Sequence, residues 1–151
     1  MAGLAATLGN GAMSNSIPEI EDTKCVFIFG YNAADSHPIV ARRIVNAKQK
    51  GAKIVVVDPR MTESARIADL WLQIRNGSNM ALVNAFGNVL INEGLYNKEY
   101  AAKYTEGFDE YKAIVSKYTP EYAEKITGIP AQAIRDAMRM YAAAPSAFIL
   151  Y

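Results

Sequence analysis

One cysteine, one histidine and one tryptophan in 151 residues leave little material for several kinds of chemistry. Cys25, standing alone, excludes an internal disulfide and any zinc or iron–sulfur site built from this chain's own cysteines. It fits a reducing compartment, so a cytoplasmic address is expected. His37 cannot be assembled with a serine, a cysteine or a paired carboxylate into a triad or dyad, so neither a catalytic residue nor a metal ligand is expected in this chain. An excess of one charge is missing too: 16 basic and 15 acidic side chains leave a formal net charge of +1, with no run of five or more like charges. That argues against a nucleic-acid partner or an acidic tail. The richest apolar runs, residues 25–29 and 54–57, are strand-length, whereas a membrane helix needs ~20 residues. No direct membrane insertion is expected. Residues 1–11 lack a basic segment and carry Gly3, Gly9, Asn10 and Gly11, which favour turns over the apolar helix of a signal peptide.

Hydrophobic residues make up 51% of the chain, enough to bury one substantial core, so a single domain over residues 1–151 is expected. The chain opens in glycine-rich material and closes on a strand-like run, residues 147–151, which leads us to expect a fragment of a longer polypeptide. Ser16-Ile-Pro-Glu19 has the spacing of a capping box opening a short helix. Residues 24–29 are β-branched and aromatic, apolar on both faces, and stop at Gly30, as a buried parallel strand does. Ser36 is placed to cap a helix with Pro38 in its first turn, an apolar stripe of Ile39, Val40, Ile44, Val45 and Ala47, and Gly51 as its stop. A second strand, residues 53–57, breaks at Asp58-Pro59, and the unit is βαβ. A short helix within 61–69, a third strand over 70–74 and the Asn76-Gly77 turn follow, with Ser78 capping a helix from Asn79 to about Glu93. Beyond Gly94 the pattern is helical: 98–104, 108–118, 120–126 and 130–144, before a closing strand at 146–151. The expected fold is α/β, a three-layer Rossmann-like parallel sheet. Residues 24–94 form its nucleotide-binding core and 97–144 a helical C-terminal half.

In such a sheet ligands bind beyond the carboxyl ends of the strands, and three of these ends are polar. Gly30-Tyr-Asn-Ala-Ala-Asp-Ser-His37 leads into a helix N-terminus, whose amides suit a pyrophosphate; His37 is read as a first-turn residue near it. Asp58 ends the second strand where an acid accepts from ribose hydroxyls, and Arg60 adds a cation. Asn76, Gly77 and Ser78 offer amides and short polar groups to a base edge. Each has a plainer reading: Gly30, Asn76 and Gly77 as turn residues, Asp35 and Ser36 as helix caps, Asp58 as a loop residue before Pro59. A plain NAD-binding turn is disfavoured, because Gly30-Tyr31-Asn32 lacks the later glycines of G-x-G-x-x-G, and no strand precedes Gly9-Asn-Gly11. Cys25 reads as core. Tyr100, Tyr104, Tyr111, Tyr118, Tyr122 and Tyr141 read as packing on apolar faces.

These residues resemble the molybdopterin oxidoreductases of the dimethyl sulfoxide reductase superfamily, and within it the catalytic alpha subunits of formate dehydrogenases. The carriers are Gly9-Asn-Gly-Ala-Met-Ser-Asn15, Phe27-Ile-Phe-Gly-Tyr-Asn32, Ala34-Asp-Ser-His-Pro38, Asp58-Pro-Arg60, Ala65-Arg-Ile-Ala-Asp69 and Asn76-Gly-Ser-Asn79. Thr105-Glu-Gly-Phe108 and Tyr118-Thr-Pro120 extend the likeness into the helical half. The resemblance implies that this chain holds one molybdopterin guanine dinucleotide of a pair that chelates molybdenum or tungsten. By position, Gly30, Asn32, Asp35 and Ser36 would meet the pyrophosphate, Asp58 and Arg60 the ribose, and Asn76, Gly77 and Ser78 the guanine. It implies further that the metal ligand and the cysteines of an iron–sulfur cluster lie outside this chain. The partners implied are the other domains of the catalytic subunit and an electron-transfer subunit. A non-catalytic nucleotide-binding or subunit-assembly module is the competing expectation.

Overall fold

The computed structural model describes residues 2–9 and 15–151; residues 10–14 of the Gly9–Asn15 motif lie outside the described residues. The strands are β1 (Cys25–Phe29), β2 (Lys53–Val57), β3 (Leu70–Leu72) and β4 (Ala147–Leu150). They form one parallel sheet in the order β3-β2-β1-β4. Alternate residues of each strand divide between two cores. Cys25, Phe27, Val55, Val57 and Leu72 face one side, and Val26, Ile28, Ile54 and Val56 face the other. A strand buried on both faces cannot alternate polar and apolar residues, which is why 25–29 and 54–57 are continuously hydrophobic.

The second face is covered by α3 (Pro38–Gln49), through Val40, Ile44 and Ala47, and by Ala65 of α4 (Glu63–Arg66). The first face is covered by α5 (Asn79–Asn92), α8 (Pro120–Thr127) and α9 (Ala131–Ala143). The chain steps from β1 to β2 to β3 over one face and returns from β3 to β4 over the other. Right-handed crossovers require that arrangement when the direction of travel reverses. The reversal puts a topological switch point between β1 and β4.

Several expectations are corrected. Residues 2–8 are helical (α1, Ala2–Leu8) despite Gly3, the alanines outweighing the single glycine. No capping box forms at Ser16: its hydroxyl donates to Glu19 Oε1 at 3.0 Å, and a six-residue 3-10 helix, Ile17–Asp22, follows. Ser36 caps nothing. It ends a four-residue helix, α2 (Ala33–Ser36), and His37 is the cap of α3. Pro38 is the cause, since a residue before proline is driven out of the α region; His37 sits at φ −143° and ψ 75°. On α3, Val40, Ile44 and Ala47 share the buried face, while Ile39 is 71% exposed and Val45 also faces outward. The third strand ends at Leu72, not Ile74. Of the helices beyond Gly94, α6 (Lys98–Tyr104) falls where expected, and α7 (Phe108–Val115) stops three residues early. Tyr100, Tyr104 and Tyr122 are largely exposed, whereas Tyr111 lays its ring against Gly87 of α5. Cys25 is core as expected: burial, aided by the Asp69 carboxylate, pushes its thiol up to about 11. No helix among the described residues is long and apolar enough to cross a membrane.

Asp69 ties β2 to the segment that enters β3. Its carboxylate accepts from the Ile54 amide at 2.9 Å, from Lys48 Nζ at 3.1 Å and from Lys53 Nζ at 3.2 Å. Partial burial opposes ionisation, but these three donors outweigh it and hold the carboxyl below its ordinary value. A depressed pKa stabilises the fold above the unfolded pKa of about 4 and ceases to as pH falls through the folded value. Chemical denaturation is therefore expected to show Asp69→Asn less stable than the unsubstituted chain at neutral pH. The gap should shrink progressively below about pH 4.

Candidate functional site

The loops after β1, β2 and β3 rise from the same edge of the sheet. Gly30 leaves β1 at φ +65°, with its amide donating to the Val57 carbonyl at 2.8 Å. Gly77 closes the turn after β3 at φ +81°. A Cβ at either glycine would meet no atom within 4 Å, so both backbones border open space. Two adjacent recesses occupy that edge. The first, about 370 Å³, has apolar walls of Phe29, Val57, Pro59 and Ile74, and a rim of Gly30, Asn76, Gly77 and Asn79. The second, about 220 Å³, is lined by Asn32, Asp35, Arg60, Met61, Thr62 and Glu63. Pro59 and Arg60 belong to one recess each, so the 58–60 loop divides them.

Sequence reading grouped these residues differently. Gly30 shares a recess with Asn76 and Gly77, and Asn32 and Asp35 share theirs with Arg60. Three expected contacts line neither recess. Ser36 lies at the end of α2. Ser78 turns its hydroxyl inward to donate to the Arg75 carbonyl at 2.6 Å. Asp58 is 4% exposed and its Oδ1 accepts from the Arg60 amide at 2.8 Å, while its carbonyl accepts from Trp71 Nε1 at 2.9 Å. Asp58 thus shapes the loop that presents Arg60. His37 is anchored by a 2.8 Å hydrogen bond between its Nδ1 and the Tyr31 hydroxyl. Sequence reading missed Phe29, Pro59, Ile74, Asn79, Thr62 and Glu63. Phe29, Pro59 and Asn79 carried a signal, as members of the Phe27–Asn32, Asp58–Arg60 and Asn76–Asn79 runs.

The chemistry of the recesses is complementary. An apolar slot rimmed by carboxamides and open backbone suits a flat heterocycle read at its edge. The second recess pairs two carboxylates, acceptors for hydroxyl groups, with the guanidinium of Arg60, which is 74% exposed and held to Asp58 only at 3.9 Å. Asn32 supplies a further mark of a ligand. Its Nδ2 donates to Asp35 Oδ2 at 2.6 Å, while its Oδ1 is buried without a hydrogen-bond partner. A buried acceptor left unpaired carries a desolvation cost that a bound donor removes.

Residues 3–149 match the molybdopterin oxidoreductase family profile. The chain belongs to that family. It is 60% identical over 151 residues to formate dehydrogenase H of Escherichia coli, covering all of this chain and 21% of that protein. It is 47% identical over 151 residues to the alpha subunit of a formate dehydrogenase from Methanococcus maripaludis, covering all of this chain and 22% of that one. Among solved structures, acetylene hydratase from Pelobacter acetylenicus superposes with a TM-score of 0.81 at 32% identity, over 89% of this chain and 20% of that one. The chain therefore spans about a fifth of the length of the relatives it matches. Membership implies a molybdopterin cofactor. The donor set of the strand-end recesses suits such a group, and the unpaired Asn32 Oδ1 is the specific feature it would satisfy.

Proposed function

We propose that this domain grips the nucleotide end of a molybdopterin guanine dinucleotide for an oxidoreductase that oxidises formate to carbon dioxide. The observation that carries the reading is the pairing of an apolar, carboxamide-rimmed slot with a hydroxyl- and phosphate-binding recess across one loop. Guanine would enter the first recess, its edge read by Asn76, Asn79 and the backbone of Gly30 and Gly77. The ribose would lie over Asp35 and the unpaired Asn32 Oδ1, with the pyrophosphate beside Arg60. Asp58 and Ser78 act from behind by fixing the loops. When bound, the cofactor and its molybdenum or tungsten supply the two-electron chemistry; these residues supply position and charge. No side chain of this domain is assigned a catalytic role or a metal-ligand role. The metal ligand, an iron–sulfur cluster and an electron-transfer subunit are proposed as parts of the complete enzyme, working in the cytoplasm.

Formate is favoured over other substrates by the 60% and 47% identities to formate dehydrogenases, against 32% to the hydratase of the same fold. The full-length enzyme is expected to reduce an artificial dye with formate as donor, at a rate that tracks its bound cofactor. Cofactor-loaded enzyme inert toward formate would remove the substrate assignment and leave the cofactor assignment standing. Arg60 tests the orientation of the ligand. A charge-assisted hydrogen bond contributes roughly 1.5–3 kcal/mol, so Arg60→Ala is expected to weaken GDP binding about ten- to hundredfold. Guanosine, which has no phosphate, should bind the variant unchanged in the same calorimetric titration.

A further inference from the structure

The loop that divides the two recesses is held partly by its own residues and partly from β3. Pro59 has no amide, and every other backbone donor and acceptor of residues 58–60 has a partner. The Asp58 amide donates to the Leu72 carbonyl at 3.3 Å, the Arg60 amide to Asp58 Oδ1 at 2.8 Å, and the Arg60 carbonyl accepts from the Thr62 amide at 3.0 Å. The two carbonyls that remain are met by side chains. Trp71 Nε1 donates to the Asp58 carbonyl at 2.9 Å, and Gln73 Nε2 to the Pro59 carbonyl at 3.2 Å. Trp71 and Gln73 stand two positions apart at the end of β3, so their side chains leave the same face and reach consecutive carbonyls. Trp71 rests its ring against the core around α3 and turns its one polar atom to the loop. Gln73 is exposed and covers no core. What the two side chains have in common is the loop.

Asp58 is 4% exposed, so its carbonyl has little access to water, and without the indole N–H the loop has to shift to find another donor. Such a shift carries Arg60 with it, because the Asp58 carboxylate grips the Arg60 amide. The guanidinium itself is 74% exposed and lies 3.9 Å from Asp58, so its place over the second recess is set by where the backbone stands. We infer that Trp71 and Gln73 are positioning residues that fix the 58–60 partition, so that Arg60 meets the diphosphate of a nucleotide whose base lies in the neighbouring recess. The inference rests on the nucleotide reading of the two recesses and adds two residues that line neither. A wall fixed before binding lowers the ordering cost of the complex. It matters most for a ligand that spans both recesses: a base or a phosphate alone can follow a displaced wall, and the two joined covalently cannot.

The test uses the full-length protein purified free of cofactor, with Trp71→Phe and Gln73→Met each made alone and together with Arg60→Ala. Gln73→Met keeps the length of an exposed side chain and removes only the donor, which preserves the test if the larger substitution destabilises the fold. One hydrogen bond corresponds to roughly a two- to twelvefold change in an equilibrium constant. Calorimetric titration is therefore expected to show GDP binding weakened about fivefold or more in Trp71→Phe and about twofold or more in Gln73→Met. Both losses should vanish when Arg60→Ala is already present, because residues that act through one guanidinium are not additive. Hydrogen–deuterium exchange of a peptide covering residues 58–62 should rise in both variants, with or without nucleotide. Losses of affinity that persist undiminished beside Arg60→Ala would overturn the inference, since they report a general loosening of the fold. Unchanged exchange at 58–62 would overturn it as well. Faster exchange in the variants of a protein whose unsubstituted form binds no GDP would overturn the dinucleotide reading, and the part given to the tether in binding with it.

Discussion

Gly30→Val is expected to abolish guanine-nucleotide binding, with a loss of more than about a hundredfold in affinity, while the chain remains folded. Two effects combine. The backbone at Gly30 sits at φ +65°, where a residue with a Cβ costs about 1–2 kcal/mol and a β-branched one more. The added isopropyl group meets no protein atom near its Cβ, so it projects into the space assigned to the base. Gly94 provides the control. It has nearly the same dihedral, φ +66°, and equally open space for a Cβ, but it ends α5 and lines neither strand-end recess. Gly94→Val should therefore show the backbone strain in its unfolding curve and bind nucleotide normally. Equal loss of binding in both variants would show that strain, not occupancy, was being measured.

The largest effect on stability is expected from Leu82→Ala. Leu82 is 0% exposed on the inner face of α5, within the core formed with β1, β2, α8 and α9. Truncating it removes three carbons' worth of apolar contact and leaves a cavity that rigid strands and helices cannot fully close. The expected cost is about 2–5 kcal/mol, a large part of the roughly 5–15 kcal/mol available to a domain. Met80, two residues earlier and 72% exposed, gives the contrast: Met80→Ala should stay within about 0.5 kcal/mol. Equilibrium denaturation of the two variants side by side decides the matter, and comparable losses would contradict the assignment of α5's buried face.

The first two strands were readable because each is buried on two faces and closed by a residue that does not continue it, Gly30 after β1 and Pro59 after β2. Lys98–Tyr104 was equally plain between Asn97, whose side chain accepts from the Tyr100 amide, and the residues before Gly107. The serine caps were not readable. A hydroxyl before a helix can accept from an amide or donate elsewhere: Ser16 donates to the Glu19 carboxylate, and Ser78, though it precedes α5, donates to the Arg75 carbonyl. Ser36 failed because Pro38 moved the helix start by one residue, a competition between two local rules that spacing alone does not settle. The candidate site was legible as three polar strand ends but not as two recesses. Bringing Gly30 to Asn76, and Asn32 to Arg60, depends on the parallel pairing of β1, β2 and β3, and so on crossovers longer than any sequence window. Ile74 and Phe29 looked like core for the same reason, since only the sheet edge shows that their side chains wall a recess. The chemistry of the cofactor was legible only through resemblance; glycine, asparagine and aspartate at strand ends are common to many nucleotide sites.

The most direct test of the dinucleotide site is a calorimetric titration of the folded chain with GDP, ADP and NAD, alongside Gly30→Val. Saturable binding that prefers GDP and disappears in Gly30→Val is the predicted result. Preference for ADP or NAD, or GDP binding that survives the valine, would contradict the assignment of the strand-end recesses to a guanine dinucleotide.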